Sequence, residues 1–173
     1  LNNGHRIEAK LLVGADGRFS SVRDWMDVAM REWDYGQRAI TAMITHEKPH
    51  DNIAVEHFWP GGPLAVLPAP DGPDGRFRSS IVLTEDIKPG TSLMDLDDAL
   101  FISLLQERMP DFYGAIKLDV PRQAYPLSLR HAAGYIGHRC VLVADAAHAI
   151  HPVAGQGLNL GLRDVAALAD ILT

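Results

Sequence analysis

One cysteine, Cys140, is all the chain has. An internal disulfide is thereby excluded, which fits a reducing, cytoplasmic compartment. Positive charge is also short: 16 Lys and Arg face 22 Asp and Glu, a formal net charge of −6 at pH 7. That balance argues against a nucleic-acid partner and supplies no polybasic patch for an anionic membrane. No apolar run approaches the length of a spanning helix. Signal-peptide patterning, internal repeats and low-complexity tracts are missing as well. So is the Gly-x-Gly-x-x-Gly fingerprint that opens a dinucleotide-binding strand–helix unit: the run from Gly155 to Gly161 has Gly at the first and third positions but Leu160 at the sixth. What remains suffices for a globular protein. Hydrophobic residues make up 47% of 173, enough to bury a core in one domain or parts of two.

The most informative stretch runs from Arg139 to Asp164. Cys140 to Val143 form a short apolar run, the pattern of a strand buried on both faces. Asp145 stands where that strand ends, and ligands of open α/β sheets bind outside the carboxyl ends of strands. Pro152, Gly155 and Gly157 then interrupt regular structure. From about Leu158 the apolar residues Leu158, Leu162, Val165, Leu168, Ala169 and Leu172 recur at helical spacing. Glycines before a helix let a flat ligand approach bare backbone, and the helix start offers unpaired N–H groups and a positive dipole end. A carboxylate at one point and a helix start at another suit a ligand with hydroxyls and an electron-rich edge.

Earlier in the chain, Leu1 to Lys10 read as a hairpin turning at Asn3-Gly4. Leu11 to Val13 read as a buried strand ending at Gly14-Ala15-Asp16-Gly17, and Ser20 or Ser21 as the cap of a short helix through about Val28. Asp16, Gly17 and Arg23 form a second strand-end group, with Arg23 available to pair with a phosphate. From about Arg31 the composition becomes that of consecutive strands: 37–46, 53–59, 64–67 and 76–84, the last with Phe77, Ser79, Ile81 and Leu83 on one face. Strands without intervening helices imply an antiparallel sheet. Asp95 to Met109 follow as an amphipathic helix, with Leu96, Leu100, Leu104 and Leu105 as its stripe and Pro110 after its end. Residues 115–120 and 123–130 are the final strands before the informative stretch.

The run His151-Pro152-Val153-Ala154-Gly155-Gln156-Gly157-Leu158-Asn159-Leu160-Gly161-Leu162-Arg163-Asp164 resembles the second flavin motif of the FAD-dependent aromatic hydroxylases, the group that includes p-hydroxybenzoate hydroxylase. In detail it is most similar to the ubiquinone-biosynthesis hydroxylase branch. Gly14 to Arg23 resembles that family's Asp-Gly motif, and 35–37, 56–58, 62–68 and 125–127 look like the same branch, so the resemblance covers nearly the whole chain. One departure is Ala144, where the family usually has Gly. The resemblance implies an α/β (α+β) fold: a partial FAD-binding Rossmann-like domain from residues 1–30 and 131–173, with an inserted antiparallel β-sheet substrate domain at 31–130. It implies FAD as cofactor, held by Asp16, Gly17, Arg23, Asp145, Pro152, Gly155, Gln156, Gly157, Leu158 and Asn159. Asp145 would accept from the ribityl chain, and the helix start would lie near the pyrimidine edge of the ring.

The implied reaction is hydroxylation of an aromatic ring, a polyprenyl phenol on the way to ubiquinone. NAD(P)H is the reductant, and O₂ is activated as a flavin C4a-hydroperoxide. No side chain is nominated as acid or base, because the flavin carries the hard chemistry. A long isoprenoid tail implies an apolar channel and peripheral contact with the inner membrane. An epoxidase or prenyl reductase of the same superfamily and a non-catalytic flavin-fold module are the alternatives. The opening on Leu1 and the missing fingerprint lead to the expectation of a fragment of a longer protein that binds FAD weakly or not at all alone, with exposed apolar surface that favours homo-oligomers.

Some residues have plainer readings. Asp145 and Asp16 are also ordinary loop caps. His148 and His151, three apart, lack grouped carboxylate or thiol partners and read as structural, not as a metal pair. Cys140 reads as a buried small hydrophobe. Phe58 and Trp59 either line an aromatic substrate pocket or pack the sheet, one of the two pointing inward. Arg163 and Asp164 read as a solvated pair on the last helix.

Overall fold

The computed structural model describes residues 4–90, 92–109 and 111–173, apart from the side chains of Phe112 and Ala154. Its elements in chain order are β1 (Leu12–Gly14), α1 (Ser21–Trp25), β2 (Met30–His46), β3 (Val55–Trp59), β4 (Gly62–Ala69), β5 (Phe77–Asp86), α2 (Asp98–Arg108), β6 (Ile116–Leu118), β7 (Gln123–Ala132), β8 (Ile136–Gly137), β9 (Cys140–Leu142), β10 (His148–Ala149) and α3 (Gln156–Leu172). The fold is mixed α/β with more sheet than helix. It divides into two compact units, Leu1–Tyr35 with Ser128–Thr173, and Gly36–Leu127. The long strands β2 and β7 run from one unit into the other.

In the unit of residues 36–127, successive residues of a strand point to opposite faces of the sheet, so every second position shares a face. β2 pairs antiparallel with β5 from Gln37↔Asp86 to His46↔Phe77. β5 pairs with β4, and β4 with β3. β6 adds to the other side of β2 at Ile44↔Leu118. The period-two rows Ile40, Ala42 and Ile44, Leu64 and Val66, and Ile81 and Leu83 gather on one face, and Phe101, Leu105, Met109 and Tyr113 close over them. Asp97 starts α2: its side chain accepts from the Leu100 N–H at 2.8 Å.

The leucine stripe expected on this helix is corrected at Leu100. Leu105 is buried, but Leu100 is 57% exposed, and Phe101 fills the core in its place. With Asp97 as cap, the inward face runs through Phe101 and Leu105 one turn apart, and position 100 points away. The helix is also shorter than its 95–109 expectation, and Pro110 lies outside the described residues.

In the other unit, β1 lies parallel to β9, with Leu12↔Cys140, Val13↔Val141 and Gly14↔Leu142, and β8 pairs antiparallel with β9. Its core is small: Val22, Ala132, Cys140, Leu142, Ala146 and Ala147. Cys140 is buried here as a small hydrophobe. The hairpin expected at 1–10 is not formed among the described residues: 4–10 carry no strand and are exposed. Arg139 reaches them instead, donating to the Lys10 and Ala9 carbonyls at 2.8 and 3.0 Å. β1 itself is not buried as expected, since Leu12 and Val13 are exposed beside the buried Gly14.

α3 forms where the helical spacing predicted it, but it buries a different face. Its inward positions are Gly157, Leu160, Gly161, Asp164 and Leu168, spaced as one helical face. Of the apolar row read from the sequence, Leu168 is half-buried, whereas Leu158, Leu162, Val165, Ala169 and Leu172 are exposed, Leu158 at 73%.

Candidate functional site

The strand β9 ends at Leu142, and the chain turns at once. Val143 is extended, and Ala144 enters the left-handed region at φ 52°. Ala144 to Ala146 then form a single 3₁₀ turn, closed by the Ala147 N–H on the Ala144 carbonyl at 2.8 Å. Ala146 and Ala147 are fully buried, whereas Asp145 between the turn's ends is exposed. No side-chain or backbone partner is recorded for the Asp145 carboxylate among the described residues, so its oxygens are available to an outside donor.

Two side chains from distant parts of the chain hold this turn. Arg23, on α1, is only 2% exposed. Its Nη1 donates to the Ala146 carbonyl and its Nη2 to the Arg18 carbonyl, each at 3.1 Å. The sequence suggested Arg23 as a phosphate partner; its guanidinium faces inward and spends these donors on backbone carbonyls, so it acts through the Asp145 turn. Asp164, on α3, accepts from the Ala144 N–H at 2.8 Å, and the same oxygen lies 2.7 Å from His148 Nε2. Asp164 is therefore not a solvated partner of Arg163. His148 sits on β10, opposite His131 of β7.

Further on, His151 packs edge-on to Tyr35, with ring centroids 5.1 Å apart, and burial pushes its pKa below the usual value. Pro152 is exposed and leads into a 3₁₀ turn over Val153–Gly155. Gly155 caps α3 with φ 63°, and a Cβ there would meet nothing within 4 Å. Backbone conformation, not crowding, calls for glycine at this position. No side chain caps the start of α3. Gln156, Leu158 and Asn159 in its first turn are exposed, and Gly157 is half-buried with open space where a Cβ would be. The unit therefore displays a free carboxylate on a locked turn and an uncapped, glycine-flanked helix start. These features fit a ligand with hydroxyls at one point and an electron-rich edge at another.

The earlier strand end is different. Asp16 accepts from the Ser20 hydroxyl and, at 3.2 Å, from the Val22 N–H. Burial raises its pKa, but bonds from Ser20 and the backbone N–H groups of Val22, Asp16 and Ser21 outweigh this and hold it below the usual carboxylate value. Gly17, at φ 85°, completes the turn. Both carboxylate oxygens of Asp16 thus organise the entry to α1, which carries Arg23. In the other unit, Phe58 and Trp59 are 73% and 42% exposed on β3, so neither points into the sheet core. β3 has a paired neighbour on one side only in the strand order, which leaves both aromatic rings at the sheet margin.

Sequence reasoning read His148 as structural without its partner, paired Asp164 with Arg163 in solvent, and gave Gly161 no role. The usable signal was the spacing of Gly161 and Asp164, three apart and hence on one face of the helix.

Over residues 1–173 the chain matches the family described as FAD binding domain, and it belongs to that family of flavin-binding proteins. Among curated relatives, it is 47% identical over 174 residues to the ubiquinone hydroxylase UbiL of Rhodospirillum rubrum, covering 99% of this chain and 39% of that protein. It is 36% identical over 172 residues to the 3-demethoxyubiquinol 3-hydroxylase of Escherichia coli, covering 99% and 42%. The chain thus spans about two-fifths of the length of these relatives. Among solved structures, pqsL, a probable FAD-dependent monooxygenase from Pseudomonas aeruginosa, shares the fold with a TM-score of 0.77 at 23% identity, over 98% of this chain and 47% of that one.

Proposed function

We propose that the intact protein is an FAD-dependent monooxygenase that hydroxylates the aromatic ring of a polyprenyl phenol in ubiquinone biosynthesis. The observation that carries this reading is the free Asp145 carboxylate, displayed at the end of β9 in a chain 47% identical to a ubiquinone hydroxylase. Bound FAD supplies the chemistry that activates O₂, with NAD(P)H as reductant; one oxygen atom enters the ring and the other leaves as water. The chain's own residues bind and orient. Asp145 accepts hydrogen bonds from ribityl hydroxyls. The backbone from Gly155 to Asn159, introduced by Pro152, would hold the ring, and the dipole of α3 would favour negative charge there. Asp16 and Gly17 shape the turn that would hold the pyrophosphate. Arg23 secures the Asp145 turn from behind. Phe58 and Trp59 offer aromatic surface to the substrate. Among the described residues no helix is long and apolar enough to cross a membrane; contact with the membrane that holds a prenylated substrate is peripheral in this reading.

The test is a visible spectrum of the purified intact protein before and after NADPH in air. A flavin band that bleaches and recovers while oxygen and a prenylated phenol are consumed supports the reading. A protein that takes up no flavin from excess FAD is a binding module or a remnant, and the reading falls.

A further inference from the structure

The two segments proposed to meet the flavin, the Asp145 turn and the start of α3, are joined by one carboxylate. Asp164 accepts from the Ala144 N–H at 2.8 Å and from His148 Nε2 at 2.7 Å. One turn earlier on the same face of α3 stands Gly161, where a Cβ would lie 2.9 Å from the Cβ of Ala144. The bare Gly161 lets the helix close on Ala144, and Asp164 then fastens it there. From the other side Arg23 binds the Ala146 carbonyl at 3.1 Å. The residues before and after Asp145 are thus each tied through a backbone group, while its own carboxylate is exposed and free. Ala144 is held at φ 52°, a left-handed conformation that alanine disfavours. A bond from its N–H to a charged acceptor is strong enough to maintain it.

We propose that Asp164 is a positioning residue for the cofactor: by holding the Ala144 N–H, and being held in turn by His148, it presets the Asp145 carboxylate relative to the start of α3. The proposal rests on the flavin reading above. The single Oδ2 atom accepts both bonds, so His148 donates from Nε2 when neutral, which leaves its Nδ1 buried without a hydrogen-bond partner. Asparagine at 164 keeps an oxygen for the Ala144 N–H; alanine keeps nothing.

The experiment is FAD titration of the intact apo-protein, followed by flavin fluorescence, in wild type, D164A, D164N, D145A and D145A/D164A. Losing a hydrogen bond to a charged group predicts FAD binding roughly ten- to a hundred-fold weaker in D164A. D164N should recover to within about threefold of wild type. In the D145A background, D164A should add less than about twofold, because the carboxylate it positions is gone. Equal affinities in D164A and wild type overturn the proposal. So does a D164A loss of the same size in both backgrounds, which marks a merely structural role. If wild type binds no FAD, the functional reading falls separately, and hydrogen exchange at the Ala144 amide decides the present proposal. Protection lost in D164A but kept in D145A supports it, and protection unchanged in D164A overturns it.

Discussion

Ala144 sits where the backbone asks for a residue without a side chain. Its φ of 52° costs an alanine about 1–2 kcal/mol relative to a right-handed conformation. Glycine would relieve that cost and lose roughly 0.5–1 kcal/mol to unfolded-state entropy. Ala144→Gly is therefore expected to raise the unfolding free energy of the intact protein by about 0.5 kcal/mol. A urea melt checks this; a clear loss instead would mean that methyl packing on Gly161 outweighs the strain. At this scale much was legible in the sequence. Asp145 at a strand end and Cys140 in an apolar run needed only local pattern. Arg23 and Asp164 did not yield to it, because their partners Ala146 and Ala144 lie 123 and 20 residues away.

Among the elements, β2 carries a titratable group into the core of the antiparallel unit. His46 is buried, its Nδ1 2.7 Å from the Lys48 carbonyl and its Nε2 2.9 Å from the Ser79 hydroxyl. Lys48 supplies only an acceptor, so Nδ1 carries the proton and Nε2 accepts from Ser79. Burial first, and the charge of His50 next, lower the pKa from its ordinary 6.5, although the Lys48 carbonyl opposes them. A lowered folded pKa means that the unfolded state takes up the proton first. The stabilisation is fully present above pH 6.5 and is lost as pH falls through the lowered value. The urea midpoint is expected to be lower at pH 5 than at pH 7.5, and His46→Gln to shrink that difference; an unchanged difference would exonerate His46. The strands and the cap of α2 were readable because alternation and Asp97 are local signals. The inward face of that helix was not, since Leu100 and Phe101 are adjacent and equally apolar, and the sheet decides between them. β1 was recognised as a strand, but its parallel partner is set by tertiary packing with β9, more than a hundred residues on.

For the molecule as a whole, the exposed row of α3 is the dominant feature. Leu158, Leu162, Val165 and Leu172 are each more than half exposed and lie along one helix face. Periodicity identified the helix and its apolar side correctly, yet sequence alone does not say what covers that side. The relatives run to more than twice the length of this stretch. Expressed by itself, the 173-residue chain is expected to self-associate, and Leu162→Glu with Val165→Lys to return it towards monomer. Analytical ultracentrifugation decides, and a monomer without the substitutions would refute the expectation.

The parallel pairing of β1 with β9, and the grip of Arg23 on Ala146, have a consequence in time. During synthesis the partners emerge from the ribosome far apart, and the whole antiparallel unit is made between them. Asp164 emerges later still. The segment from Gly36 to Leu127 can mature while the β1 strand waits unpaired, and the Asp145 turn gains its second anchor only when α3 appears. Long-range closures of this kind are slow and come late. Readiness for the cofactor is thus among the last properties this stretch acquires, and a nascent chain halted before residue 164 would have a mature sheet and no finished place for a flavin.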